Sequence, residues 1–232
     1  VGRIIANSIS SKLKKFSLEL GGKNPFIILE DANIDKAAET AARAAFTNQG
    51  QICICGSRIY IHESIYEEVK EKIINEAKKF VPGDPLNKQT NFGSVVSKQQ
   101  FDKIHQYLDL AKKDNVSFLT GSDPMELPEK NKSGLFVSPT LLEGVSPNHP
   151  INQEEIFGPV ATIQAFETEE EVVNLANNTE YGLAASVFSK DIHKAKQIAS
   201  QIESGIVWVN SWLTRDLRTP FGGMKHSGLG RE

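Results

Sequence analysis

Residues 24–46, NPFIILEDANIDKAAETAARAAF, hold a five-residue apolar run, Pro25 to Leu29, then a short polar break and an alanine-rich segment. The run is short, apolar and preceded by Gly21-Gly22, the form of a buried strand. Asn33 is placed to cap a helix in which Ile34, Ala37, Ala38, Ala41 and Ala45 recur at helical spacing, with Asp35 in the first turn where the helix dipole favours an acid. The helix runs toward Gly50, which can stop it, and Arg58 to His62 reads as the next strand. Strand, helix and strand in this order set the class of the fold.

Outward from this unit the alternation continues. Ser64 with Glu67 forms a predicted capping box for a helix with Ile65, Val69, Ile73 and Ala77 on its apolar face, ended by VPGDP at Val81 to Pro85. Ser97 with Gln100 forms a second, ahead of Phe101, Ile104, Leu108 and Ala111, and Val116 to Leu119 is then a short strand. Val160 to Phe166 is a strand, and Thr168 with Glu171 opens a helix through Val172 and Leu175. Leu183 to Phe188, Ile192 to Ile202 and Gly205 to Val209 read as strand, helix and strand, while Phe16 to Leu20 is a short strand after an opening helix. The polar stretch 121–134, GSDPMELPEKNKSG, is a surface loop. The pattern predicts an α/β domain, a mainly parallel sheet flanked by helices, with chemistry at the strand ends.

A chain of 232 residues with 39% hydrophobic content can build a substantial core. A net charge of -3 gives no basic field for nucleic acid, and no apolar run approaches the roughly 18 to 20 residues of a membrane span. The two cysteines, one residue apart, cannot make a disulfide framework, so free thiols in a reducing, cytoplasmic compartment are expected. The opening VGRIIANSISSKLKK has neither an initiator Met nor a secretion signal and reads as the middle of a helix, so a longer parent chain is expected.

Both cysteines lie in NQGQICICGSR, Asn48–Arg58. A metal needs three or four ligands; this Cys-x-Cys and the scattered His62, His105, His149, His193 and His226 supply no second pair at zinc-site spacing. A buried thiol is the ordinary fate of a free cysteine and suits Cys55, beside the strand. Cys53, in a polar segment after a helix end, suits a nucleophile better. At a free-thiol pKa of about 8.5 only a few per cent is thiolate at pH 7, so a base must help. Glu19, before Gly21-Gly22, is the candidate, although an acid in such a place is ordinarily just solvated.

LELGGKNP, NQGQICICGSR with its Cys53 34 residues after Glu19, EEIFGPV and PFGGMKHSGLGRE resemble, in the same order, the signature segments of the aldehyde dehydrogenase superfamily. The likeness covers nearly the whole chain. It implies that Cys53 attacks an aldehyde, that a hydride leaves to NAD or NADP, and that Glu19 activates the water that hydrolyses the thioester. Relatives that pass the acyl group to coenzyme A commonly lack this Glu, so Glu19 favours hydrolysis. The resemblance further implies that Glu155 holds the nicotinamide ribose, that Phe157 packs beside the nicotinamide, and that Gly21 belongs to the cofactor side. It makes the Cys53 backbone N–H one oxyanion donor; the family's other donor, an upstream Asn, has no counterpart here. Residues 1–20 correspond to the end of a dinucleotide-binding domain and 21–232 to the catalytic domain, of a protein expected to be a homo-oligomer. The chain alone is expected to hold NAD(P) poorly and to be inactive.

The loop NSWLTRDLRTPFGG corresponds to the family's substrate entrance, with Arg215, Phe221 and Trp212 as lining candidates. A guanidinium there can bind a carboxylate in bidentate fashion. RDLRTPFGG is similar to the 2-aminomuconate and 2-hydroxymuconate semialdehyde branch, which implies an acidic semialdehyde. The bland alternative is that Arg215 merely pairs with Asp216 or with water. A neutral-aldehyde dehydrogenase, a non-catalytic binding or structural member, and a thiol hydrolase with a His beside the Cys also stay open.

Overall fold

The computed structural model describes residues 1–123 and 125–232. In chain order its strands are β1 (Leu18–Glu19), β2 (Asn24–Ile28), β3 (Gly56–His62), β4 (Ser117–Phe118), β5 (Thr140–Glu143), β6 (Val160–Phe166), β7 (Tyr181–Gly182), β8 (Ala184–Phe188), β9 (Ile206–Val209), β10 (Met224–Lys225) and β11 (Gly228–Leu229). The helices are α1 (Gly2–Ser10), α2 (Ile34–Phe46), α3 (Tyr66–Ala77), α4 (Lys98–Lys113), α5 (Pro150–Gln153), α6 (Glu169–Asn177) and α7 (Ile192–Ala199).

The apolar run that decides the fold is β2, buried at every residue. It lies between β3 and β8, both parallel to it. A strand covered on both faces has no polar face to show, which is why its sequence does not alternate. The main sheet has seven strands in the order β4-β5-β6-β3-β2-β8-β9, parallel except for β4 against β5. Phe26 and Ile28 pack on one face with the alanines of α2 and with Val69 and Ile73 of α3. Ile27 and Leu29 pack on the other with Val172 of α6 and Ala195 and Ile198 of α7. α4 lays Ile104, Leu108 and Ala111 against Leu142 and Val160. Each fully buried side chain of this size contributes about 1.5–3 kcal/mol.

Three caps form at the expected residues: Asn33, Ser97 and Thr168 accept the backbone N–H of Lys36, Gln100 and Glu171. The box at Ser64 does not form. The His62 ring accepts the Ser64 N–H, a short 3-10 turn covers Glu63–Ile65, and α3 starts without a side-chain cap. β5 went unread because TLLE is only four residues long, yet its first three are buried between β4 and β6. β1 is shorter than expected and pairs antiparallel with β11, outside the main sheet. In the polar stretch 121–134, Pro124 lies outside the described residues, and Glu129–Asn131 forms a 3-10 turn. Among the described residues no helix is long and apolar enough to cross a membrane.

Candidate active site

The segment between α2 and β3 reverses the chain at the end of the sheet. Asn48 and Gln49 take positive φ, and Gly50, with φ of 67°, presses its Cα against the Gly158 carbonyl. A Cβ there would stand 2.1 Å from the Gly158 oxygen, so only glycine fits. The Cys55 N–H then bonds the Ile52 carbonyl at 3.0 Å, closing a turn with Cys53 and Ile54 at its centre.

This turn is held from outside. The Asn24 carboxamide donates to the carbonyls of Cys53 (2.9 Å) and Cys55 (2.8 Å) and accepts the Ala184 N–H (3.0 Å). The Trp212 indole N–H donates to the Ile54 carbonyl at 3.0 Å. Gly22 lies so close that a Cβ would stand 2.4 Å from the Cys53 oxygen. Cys53 is half-buried and Cys55 buried. Burial pushes the Cys55 thiol up to about 12, so it is an inert filler at neutral pH. The Cys53 thiol is also raised, first by burial, then by the charges of Glu19 and Glu155. Cys53, Glu19 and Glu155 thus share one electrostatic neighbourhood. A thiol held in its protonated form needs a base to become a nucleophile.

Glu155 and Phe157 sit on the loop between α5 and β6. Glu155 Oε1 accepts the Gly22 N–H at 2.9 Å, and a Cβ on Gly21 would stand 2.3 Å from Oε2. Phe157 has φ of 57°, a left-handed conformation that costs a bulky residue about 1–3 kcal/mol. α4 holds it there: Gln100 donates to the carbonyls of Ile156 and Phe157, each at 2.8 Å, and Lys103 to that of Glu155 at 2.8 Å. Neither residue was read as part of a site, and the side chain of Gln100 does not close the capping box at Ser97. The signal was their spacing of three, which puts both on one helix face.

Two buried basic residues lie beside the same region. Arg58 donates to the carbonyls of Lys23, Leu175 and Ala176 and to the Tyr60 hydroxyl. Lys23, only 2% exposed, has its amine pulled down to about 7, chiefly by burial and then by the Arg58 charge.

A cavity of about 410 Å³ is lined by Glu19, Trp208, Thr214, Arg215, Phe221 and Glu232, among others. The Arg215 guanidinium stands 5.1 Å from the centre of the Phe221 ring. Asp216 does not pair with it. Arg218 takes that carboxylate, with its Nε at 2.9 Å and its terminal nitrogen at 2.6 Å. Among the described residues Arg215 has no acidic partner. Trp212 is not on this wall; it is buried, with its indole committed to the Cys53 turn. Glu19 belongs to both the cavity and the field at Cys53.

A family model described as "Aldehyde dehydrogenase family" matches residues 1–232. The chain belongs to the aldehyde dehydrogenase family. Among aldehyde dehydrogenase relatives, 2-aminomuconic semialdehyde dehydrogenase of Danio rerio is 42% identical over 232 residues, 99% of this chain and 48% of the relative. Aldehyde dehydrogenase 1 of Tanacetum cinerariifolium is 43% identical over 233 residues, 100% of this chain and 46% of the relative. A crystal structure of betaine aldehyde dehydrogenase from Staphylococcus aureus in complex with NAD+ superposes with a TM-score of 0.94 at 38% identity, covering 100% of this chain and 46% of that one. The chain spans about half the length of the curated relatives it matches.

Proposed function

We propose that this chain is the catalytic part of an NAD(P)-dependent aldehyde dehydrogenase that oxidises a carboxylated semialdehyde to the acid through a Cys53 thioester. The observation that supports it most is the fixed turn presenting Cys53 within the field of Glu19 and Glu155. Residues 21–232 form the catalytic domain, and residues 1–20 belong to a dinucleotide-binding domain.

Cys53 Sγ attacks the aldehyde carbon as Glu19 takes the thiol proton, directly or through water. The oxyanion that forms accepts the Cys53 backbone N–H, a contact of a kind worth about 3–4 kcal/mol of barrier. When bound, the nicotinamide supplies the hydride acceptor that converts the hemithioacetal to a thioester. Glu19 passes the first proton to solvent and then takes one from water, the hydroxyl adds to the thioester carbonyl, and Cys53 leaves as thiolate, releasing the acid.

The residues present fit the nicotinamide-ribose end of such a cofactor. Glu155 Oε1 is held by Gly22, which leaves Oε2 to accept ribose hydroxyls, and the half-buried Phe157 offers a ring edge beside a flat heterocycle. Arg215, without an acidic partner among the described residues and set over Phe221 in the Glu19 cavity, supports a carboxylate on the substrate. A cytoplasmic setting agrees with two free thiols. A homo-oligomer agrees with β9, which among the described residues pairs only with β8 and leaves one edge open.

Similar identity to relatives whose names give no acidic substrate keeps neutral aldehydes as the second reading. The test is nicotinamide reduction by the full-length protein with acidic semialdehydes and neutral aldehydes. Faster turnover of the acidic set, abolished in Cys53→Ala, is the expected result. Undiminished turnover in Cys53→Ala contradicts the mechanism, and preference for neutral aldehydes contradicts the substrate.

A further inference from the structure

The nucleophile turn has three successive carbonyls, and each is held by a side chain from elsewhere in the chain: Asn24 takes those of Cys53 and Cys55, and Trp212 takes that of Ile54. Asn24 lies on β2 and also receives the Ala184 N–H of β8, so one carboxamide ties the turn to two adjacent strands of the sheet. Both N–H groups and the oxygen of that carboxamide are used, in a residue only 2% exposed. Such full satisfaction of a buried amide fixes its orientation and, through it, the peptide planes on either side of the nucleophile.

We propose that Asn24, with Trp212, is a positioning residue that sets the aim and burial of the Cys53 thiol for attack, an inference that rests on the proposed role of Cys53 as nucleophile. A catalytic group misplaced by about 1 Å loses on the order of 100-fold in rate, so the effect belongs to the chemical step and not to substrate binding.

The clamp has a second consequence with the opposite sign. Burial is the main cause that raises the Cys53 thiol, and Glu19 and Glu155 are the carboxylates facing it. A loosened turn exposes the sulfur, lowers that penalty, and makes it react faster with a small alkylating agent even as turnover falls. A merely structural residue, by contrast, lowers turnover in proportion to the folded fraction and leaves the thiol of the folded molecules unchanged.

The experiment compares the parent with Asn24→Ser and Trp212→Phe. Iodoacetamide labelling of Cys53 is followed by peptide mass spectrometry as a function of pH, and kcat and KM for the aldehyde are measured on the same full-length preparations. The expected result is a labelling midpoint lowered by about half to one pH unit in Asn24→Ser, kcat lowered roughly 10- to 100-fold and KM within about threefold. Trp212→Phe keeps the ring and should move in the same direction by less, so the proposal stays testable if Asn24→Ser does not fold. An unchanged midpoint and kcat in a folded variant overturn the clamp. Turnover that survives Cys53→Ala overturns the nucleophile on which it acts, a failure separable from the first because the labelling midpoints are read independently of turnover.

Discussion

Replacing Gln100 with Ala should weaken cofactor binding while leaving the fold largely intact. The substitution removes two hydrogen bonds of 2.8 Å, to the Ile156 and Phe157 carbonyls. Each is worth about 0.5–1.5 kcal/mol net, so about 1–3 kcal/mol holds the loop against the roughly 1–3 kcal/mol of strain at the positive φ of Phe157. The two are of the same size. Without Gln100 the strained loop relaxes in a large fraction of molecules, and the ligand must bind the remainder at a reduced apparent affinity. Lys103 still holds the Glu155 carbonyl, which limits the loss, so a 5- to 30-fold rise in the Kd for NAD(P) is expected, at about 1–2 kcal/mol. Titration calorimetry on the full-length protein reads it, with Gln99→Ala as the control, since Gln99 is exposed on the same turn of α4. Unchanged affinity in Gln100→Ala would refute the idea that α4 sets the conformation of the Glu155–Phe157 loop.

Arg215→Ala should raise KM for acidic semialdehydes roughly 10- to 100-fold, the loss of one charge-assisted contact, and leave neutral aldehydes unchanged; equal loss for both in steady-state assays rules out a carboxylate clamp. Lys23 sits at about 7 in the folded chain against 10.5 for the free amine, so the unfolded chain binds more protons between those values and stability rises with pH across that window. The cost is fully present below about pH 7. Lys23→Met removes this slope, so urea titrations from pH 6 to pH 10 should show the parent gaining on the variant by up to about 4 kcal/mol; parallel curves contradict it. Gly50→Ala combines a positive φ with a Cβ 2.1 Å from the Gly158 oxygen, and thermal melts should show a loss of about 3 kcal/mol or more.

The central strands were legible because burial on both faces leaves an unbroken apolar run, and α2 because its alanines recur at one spacing above a local cap. Local chemistry made Cys53 and Glu19 candidates, which the family resemblance singled out, and it marked Cys55 as the buried thiol that the structure shows. What the sequence did not give was tertiary competition for polar groups. Asn24 lies 29 residues from Cys53, and Gln100 lies 57 from Phe157; no local pattern says which carbonyl either side chain will reach. Trp212 reads as an entrance aromatic because its loop corresponds to the family's substrate entrance, yet its indole N–H needs an acceptor when buried and finds one at Ile54. Arg215 and Arg218 are both close enough in sequence to pair with Asp216, and only the loop geometry assigns the acid to Arg218.

The most direct test of the account is to trap the thioester. In Glu19→Gln, with NAD(P) and an acidic semialdehyde, acylation slows because solvent must take the thiol proton and hydrolysis slows further because water is no longer activated, so the acyl group should accumulate on the peptide that contains Cys53, with a mass increase of the aldehyde less two hydrogens. That adduct, absent in Cys53→Ala, is the predicted result. An acyl group found on Cys55, or undiminished turnover by Glu19→Gln with no adduct on Cys53, would contradict the assignment of nucleophile and base.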